Sequence, residues 1–109
     1  MSGATLASRG EGSFVLEGIL DFDSVASLLT DGERMLAGSG HLDLDLGAVH
    51  EANSAGLALL LEWLDLARQR KRTLRLHNLP DSLVRLAALA NVSDILPLDG
   101  DSSRAQDSP

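Results

Sequence analysis

Cysteine is absent from this 109-residue chain. That excludes a disulfide framework, a thiolate metal site and a thiol nucleophile, and it fits a reducing compartment. Aromatic residues make up only 3% of the sequence, so leucine, alanine and valine must build the core. No long hydrophobic run occurs. The longest, residues 56–61 (GLALLL), falls far short of the roughly 20 residues that a membrane span needs. The opening stretch, MSGATLASRGEG, has no apolar segment, so no signal peptide is expected and the chain is predicted to stay in the cytoplasm. Positive charge is also scarce. A net charge of -7 repels phosphate backbones, which argues against nucleic-acid binding, and gives no general attraction to anionic membranes. One local basic run stands out, residues 68–72 (RQRKR).

What is present suits one domain and not two. Hydrophobic residues reach 44%, and their spacing is informative. Residues 4–9 and 13–18 (SFVLEG) read as two strands, joined by a turn at Gly10, Glu11 and Gly12, which is a hairpin pattern. Asp21 and Ser24 offer helix-capping oxygens ahead of Val25, Leu28, Leu29, Gly32 and Leu36 at helical spacing. That helix should stop near Gly38, Ser39 and Gly40.

Residues 41–46 (HLDLDL) alternate strictly, with Leu42, Leu44 and Leu46 on one face and Asp43 and Asp45 on the other. Residues 73–77 (TLRLH) repeat the pattern with Leu74 and Leu76 inward and Arg75 and His77 outward. Between them lies a long helix, residues 54–70, completing a βαβ unit. If the two strands are neighbours, Asp43 and Asp45 are expected to pair with Arg75 across the wet face. A short helix starts at Pro80, Asp81 and Ser82, with Leu83, Leu86 and Ala90 on its inner face and Asn91 as its C-cap.

Residues 95–98 are expected to dock on the body or form a short edge strand. Residues 1–98 then make a single domain, and the polar residues 99–109 are predicted to be a disordered tail. The expected fold is α/β, a four- or five-stranded mixed sheet with helices on one face, in the order β-β-α-β-α-β-α. There is no internal repeat.

The long helix has one polar sector: Ser54, Ala58, Glu62, Asp65 and Gln69. Its apolar arc is unusually broad. Leu57, Leu60, Leu61 and Leu64 form one stripe, and Ala55, Leu59, Trp63 and Leu66 widen it. A surface helix needs only about 100° of apolar arc. Either the sheet and a neighbouring helix both pack on it, or its outer edge is a partner surface with Trp63 as anchor. Residues 47–53 read as the loop before this helix. Asn53 or Ser54 can cap it, and Ser54 could alternatively offer an exposed contact or phosphate site beside free N–H groups.

These residues carry a family resemblance. Leu44, Asp45 and Leu46, then Asn53, Ser54, Ala55, Gly56, Leu57, Ala58, Leu59 and Leu60, resemble the strand–loop–helix signature of STAS domains. Leu16, Gly18, Leu20 and Asp21 are similar to that family's lead into its first helix, and the resemblance spans about residues 13–98. Within the family, residues 56–61, Leu64, Asp65, Leu66 and Ala67, and the run Asp94, Ile95, Leu96, Pro97 resemble the small STAS subunits of bacterial phospholipid-transport ABC complexes. The resemblance implies a non-enzymatic subunit without cofactor. It would bind and stabilise or regulate the ABC ATPase of a complex with permease and MCE-type subunits. That complex would maintain outer-membrane lipid asymmetry, and the subunit would sit at the cytoplasmic side of the inner membrane. The implied partner-binding residues are Ser54, Asn53, His50, Glu51, Ala55, Leu59 and Trp63. The alternative is an anti-sigma factor antagonist switched by phosphorylation of Ser54. Those proteins usually carry Asp where this chain has Asn53.

Other chemistry finds little footing. His41, His50 and His77 have no partners at zinc-ligand spacing, and His50-Glu51 leads to Ser54 where a metalloprotease motif needs a second His. Ser54 is not in a G-x-S-x-G elbow. Gly38, Ser39 and Gly40 make neither of the glycine-rich phosphate loops. Asp43 and Asp45 are simplest as a solvated strand face, and the basic run as a favourable helix C-terminus or, alternatively, a contact to lipid headgroups.

Overall fold

The computed structural model describes residues 3–38 and 40–92. The chain runs β1 (Ala4–Gly10), β2 (Ser13–Leu20), α1 (Phe22–Leu36), β3 (His41–Ala52), α2 (Ser54–Gln69), β4 (Thr73–His77) and α3 (Asp81–Leu89), the order expected from the sequence. The expectations for residues 95–98 and for a tail from 99 lie outside the described residues.

Connection length decides strand direction. Two residues, Glu11 and Gly12, join β1 to β2, and Gly12 takes φ +70°, so the pair is antiparallel. The helical crossovers through α1 and α2 return the chain at the same edge, so β2, β3 and β4 are parallel. The four strands lie in sequence order in one sheet. Its inner face carries Leu16, Leu20, Leu42, Leu44, Leu46, Leu74 and Leu76, all buried in one cluster with Leu28, Met35, Leu57, Leu60, Trp63 and Leu83 from the helices.

The structure corrects several readings. β3 runs six residues past the expected end at Leu46, through what reads as a loop. Glu17 pairs with Ala48, Gly18 with Val49, Ile19 with Glu51 and Leu20 with Ala52. Two register shifts, each with one extra residue on β3, interrupt the ladder. Such bulges break the two-residue period, so Val49 is buried where strict alternation from Leu46 would place His50.

The cross-strand charges also pair differently. Asp43 lies opposite Arg75 in register, but its carboxylate is met by His77 Nε2 at 2.7 Å and His41 Nε2 at 3.7 Å. His77 sits two residues along the same face, within diagonal reach. Asp45 accepts from the Asn78 amide at 3.0 Å and the Gly47 N–H at 2.8 Å.

In α3, Leu83 and Ala87 are buried, whereas Ala90 is exposed. The helix ends at Leu89, and Ala90 is its C-cap. Asn91, one residue beyond the cap, takes φ +63°. Its N–H bonds Ala88 O, and Val92 N–H bonds Ala87 O, a Schellman closure.

The broad α2 arc packs on the sheet, on α1 and on α3, and Leu61, Leu64 and Leu66 at its margin stay half-buried. Trp63 is 1% exposed. A Cβ at Gly32 of α1 would collide with its indole ring, so Gly32 lets the two helices close over the tryptophan.

Candidate functional site

The carboxyl ends of β2 and β3 meet the N-termini of α1 and α2, the edge where α/β proteins most often hold partners and ligands. Asp21 builds one half. Its Oδ1 accepts the N–H groups of Asp23 at 3.0 Å and Ser24 at 2.9 Å, and Ser24 Oγ accepts the Asp21 N–H at 2.9 Å. This reciprocal capping box fixes where α1 begins. Asn53 builds the other half. Its side-chain oxygen accepts the Ala55 N–H at 2.8 Å, and its own N–H donates to Leu20 O at 3.0 Å. The second bond ties the start of α2 to the end of β2. A shallow depression of about 330 Å³ lies between, lined by Ile19, Leu20, Asp21, Glu51, Ala52 and Asn53.

Gly56 brings α2 this close. A Cβ there would stand 2.8 Å from Leu20 Cβ and 3.2 Å from Ala52 Cβ, so any side chain would push the helix start outward. Capping by Asn53 settles which of the two candidates holds the helix. Ser54 is left as the first helical residue, exposed, with its hydroxyl outside the capping interaction.

The residues singled out by sequence divide into two groups. His50, Glu51, Asn53 and Ser54 are exposed along this edge. Ala55, Leu59 and Trp63 are 6%, 4% and 1% exposed. Trp63 is therefore a core residue beneath α1 and presents no anchor at the surface. Ala55 and Leu59 show only a margin of side chain, at the floor of a groove that the sequence reading missed. That groove, about 350 Å³, runs between α1 and α2 and is lined by Phe22, Val25, Leu29, Ala55, Ala58, Leu59 and Glu62. Phe22 is 70% exposed and Leu29 51%. Helical spacing assigns Leu29 to the inner face along with Leu28. A large aromatic directly after the Asp21 cap was the available signal.

On the helix-free face, the Asp45 carboxyl is held below its usual range, first by the Asn78 side-chain amide and next by the Gly47 N–H. Among the described residues no three His, Cys, Asp or Glu side chains are placed to hold a metal ion. No described helix is long and apolar enough to cross a membrane.

With this geometry established, known proteins add context. A family model described as "Mlab, STAS domain" matches residues 5–97. The chain is 35% identical over 97 residues to the "Intermembrane phospholipid transport system binding protein MlaB" of Escherichia coli (strain K12), covering 88% of this chain and 90% of that protein. The protein of the same description from Shigella flexneri matches with the same figures. Among solved structures, the anti-sigma factor antagonist SpoIIAA in its unphosphorylated form superposes with a TM-score of 0.67 at 12% identity, covering 94% of this chain and 92% of that one. A STAS domain protein from Planctomyces limnophilus superposes with a TM-score of 0.70 at 13% identity, covering 96% and 95%. At these identities the two structures speak for the fold alone.

Proposed function

The chain belongs to the STAS domain family, in the branch its family model describes as MlaB, and from that membership we propose that it is a non-catalytic subunit of an ABC phospholipid transporter, bound to the transporter's ATPase at the cytoplasmic side of the inner membrane. The observation that carries this reading is the 35% identity to MlaB over 88% of the chain. The edge formed by His50, Glu51, Asn53 and Ser54 supports it from the side of physics. These exposed side chains stand on two rigid elements, so contacts to a partner cost little ordering entropy. Ser54 serves as an unmodified contact at the centre of that edge.

A second reading has one observation in its favour. An exposed hydroxyl at a helix N-terminus is well placed to carry phosphate, because the free N–H groups and the positive dipole end would stabilise the added charge. Ser54 would then be the switch of an anti-sigma factor antagonist.

Co-purification with the tagged full chain, wild type and Ser54→Arg, separates the two. An ABC ATPase that accompanies the wild type and is lost with Ser54→Arg supports the transporter reading. The substitution is at an exposed position, where changes in stability usually stay within about 0.5 kcal/mol. Recovery of an anti-sigma kinase together with phosphorylated Ser54 would replace the transporter reading with the switch.

A further inference from the structure

The groove between α1 and α2 is an apolar surface that the fold leaves open beside Ser54. Its walls are Phe22, Val25 and Leu29 on α1 and Ala58 on α2, its floor is Ala55 and Leu59, and among the described residues Glu62 is the one charged residue lining it. Phe22 and Leu29 keep 70% and 51% of their surface in water. The floor is rigid, because Gly32 and Trp63 lock the helices together one turn further down. Ala58, one helical turn after Ser54, is exposed and small. It leaves room between the walls where a longer side chain would close them.

Charge narrows what fits. Among the described residues no cation lines the groove. Asp23 is exposed beside Phe22. Further along the same two helices, Arg70 of α2's end is already joined to Glu33 of α1 at 3.1 Å. The complement is therefore an apolar side chain accompanied by a cation. A helix laid in a groove delivers both from one face and its flank, through residues spaced three or four apart.

We propose that the α1–α2 groove receives an amphipathic helical segment of the ATPase, which seats a large aliphatic or aromatic side chain between Leu29 and Ala58 and sets a lysine or arginine against Glu62. This deepens the reading given above and rests on it, since Ala55 and Phe22 of the groove directly follow Ser54 and Asp21 of that edge in the chain.

The test uses the purified ATPase subunit of the same transporter and the full chain in four forms: wild type, Ser54→Arg, Leu29→Glu and Glu62→Lys. Leu29 and Glu62 are exposed, and circular dichroism and thermal melts establish that each variant is folded. Leu29→Glu is expected to weaken binding at least about tenfold, as loss of a desolvated anchor does. Glu62→Lys should weaken it several-fold at low salt and less at high salt, as a rim charge does. Unchanged affinity of folded Leu29→Glu, with binding still abolished by Ser54→Arg, would overturn the groove and leave the docking edge standing. No binding by the wild type would remove both. A wild-type dimer that Leu29→Glu dissociates would also overturn the proposal, because a second copy would then be what fills the groove.

Discussion

Asp45 is a polar residue whose role is local and measurable. Its carboxylate accepts the Asn78 side chain and the Gly47 backbone N–H, and both bonds favour the ionised form. Its folded value therefore lies below the usual one. The resulting stability is present above the ordinary carboxylate range and is lost as pH falls through the lowered folded value. Asp45 is partly exposed, and solvent screening keeps the effect small. The thermal midpoints of wild type and Asp45→Asn are expected to differ at neutrality and to converge in the acid range. A gap independent of pH would show that the carboxylate's charge plays no part. Asn78, at φ +57°, is the residue that turns the chain so that this bond forms. Asparagine tolerates that left-handed conformation better than most residues.

At the scale of elements, long-range ties decide how the helices seat. Arg72, in the turn between α2 and β4, donates to Met35 O at 2.9 Å, Ala37 O at 2.8 Å and Gly40 O at 3.3 Å. One guanidinium thus satisfies carbonyls at the C-terminus of α1 and holds the entry to β3. Helix ends leave such carbonyls without intrahelical partners, and a cation there also meets the negative end of the dipole. Arg72→Ala is expected to cost about 1–3 kcal/mol in a denaturant titration. A loss of only a few tenths would show that water replaces the guanidinium without penalty. Arg72 is placed for this by α2's own ending. Lys71 adopts φ +59°, and the Arg72 N–H closes onto Ala67 O at 2.8 Å, which directs the chain into β4 against α2.

Across the whole molecule, the two ends of α2 present different surfaces. Its 16 residues span about 24 Å at 1.5 Å per residue. The start carries Ser54 and the apolar groove. The finish carries Arg68, Arg70, Lys71 and Arg72, with Arg34 at the end of α1. Several of these cations are engaged within the chain: Arg68 with Asp65 at 2.6 Å, Arg70 with Glu33 at 3.1 Å and Arg34 with Asp31 at 3.5 Å. They serve the helix C-termini, at the opposite end of α2 from Ser54. If the proposed ATPase docks at the Ser54 edge and groove, Arg68→Glu is expected to leave that affinity unchanged while costing up to about 1 kcal/mol of stability. A marked loss of binding in titration would move the partner surface to the basic end.

The amino-acid sequence alone determined the element order, both hairpin strands, the inner faces of β4 and of β3 as far as Leu46, and the approximate start of each helix. Each of these is local, set by spacing, a cap or a turn residue. It also marked Asn53 and Ser54 as the start of the long helix, without deciding which one caps it. Tertiary structure decided the remainder. β3 continues to Ala52 because bulges let it keep pairing with β2 after its alternation fails. Trp63 is core because Gly32, 31 positions earlier, admits α1 over it. Leu29 is exposed because α1 meets α2 along Leu28 and Gly32 and turns its neighbour outward. Helical spacing states which residues share a face, and only the packing of one helix against another states which edge of that face stays open to a partner.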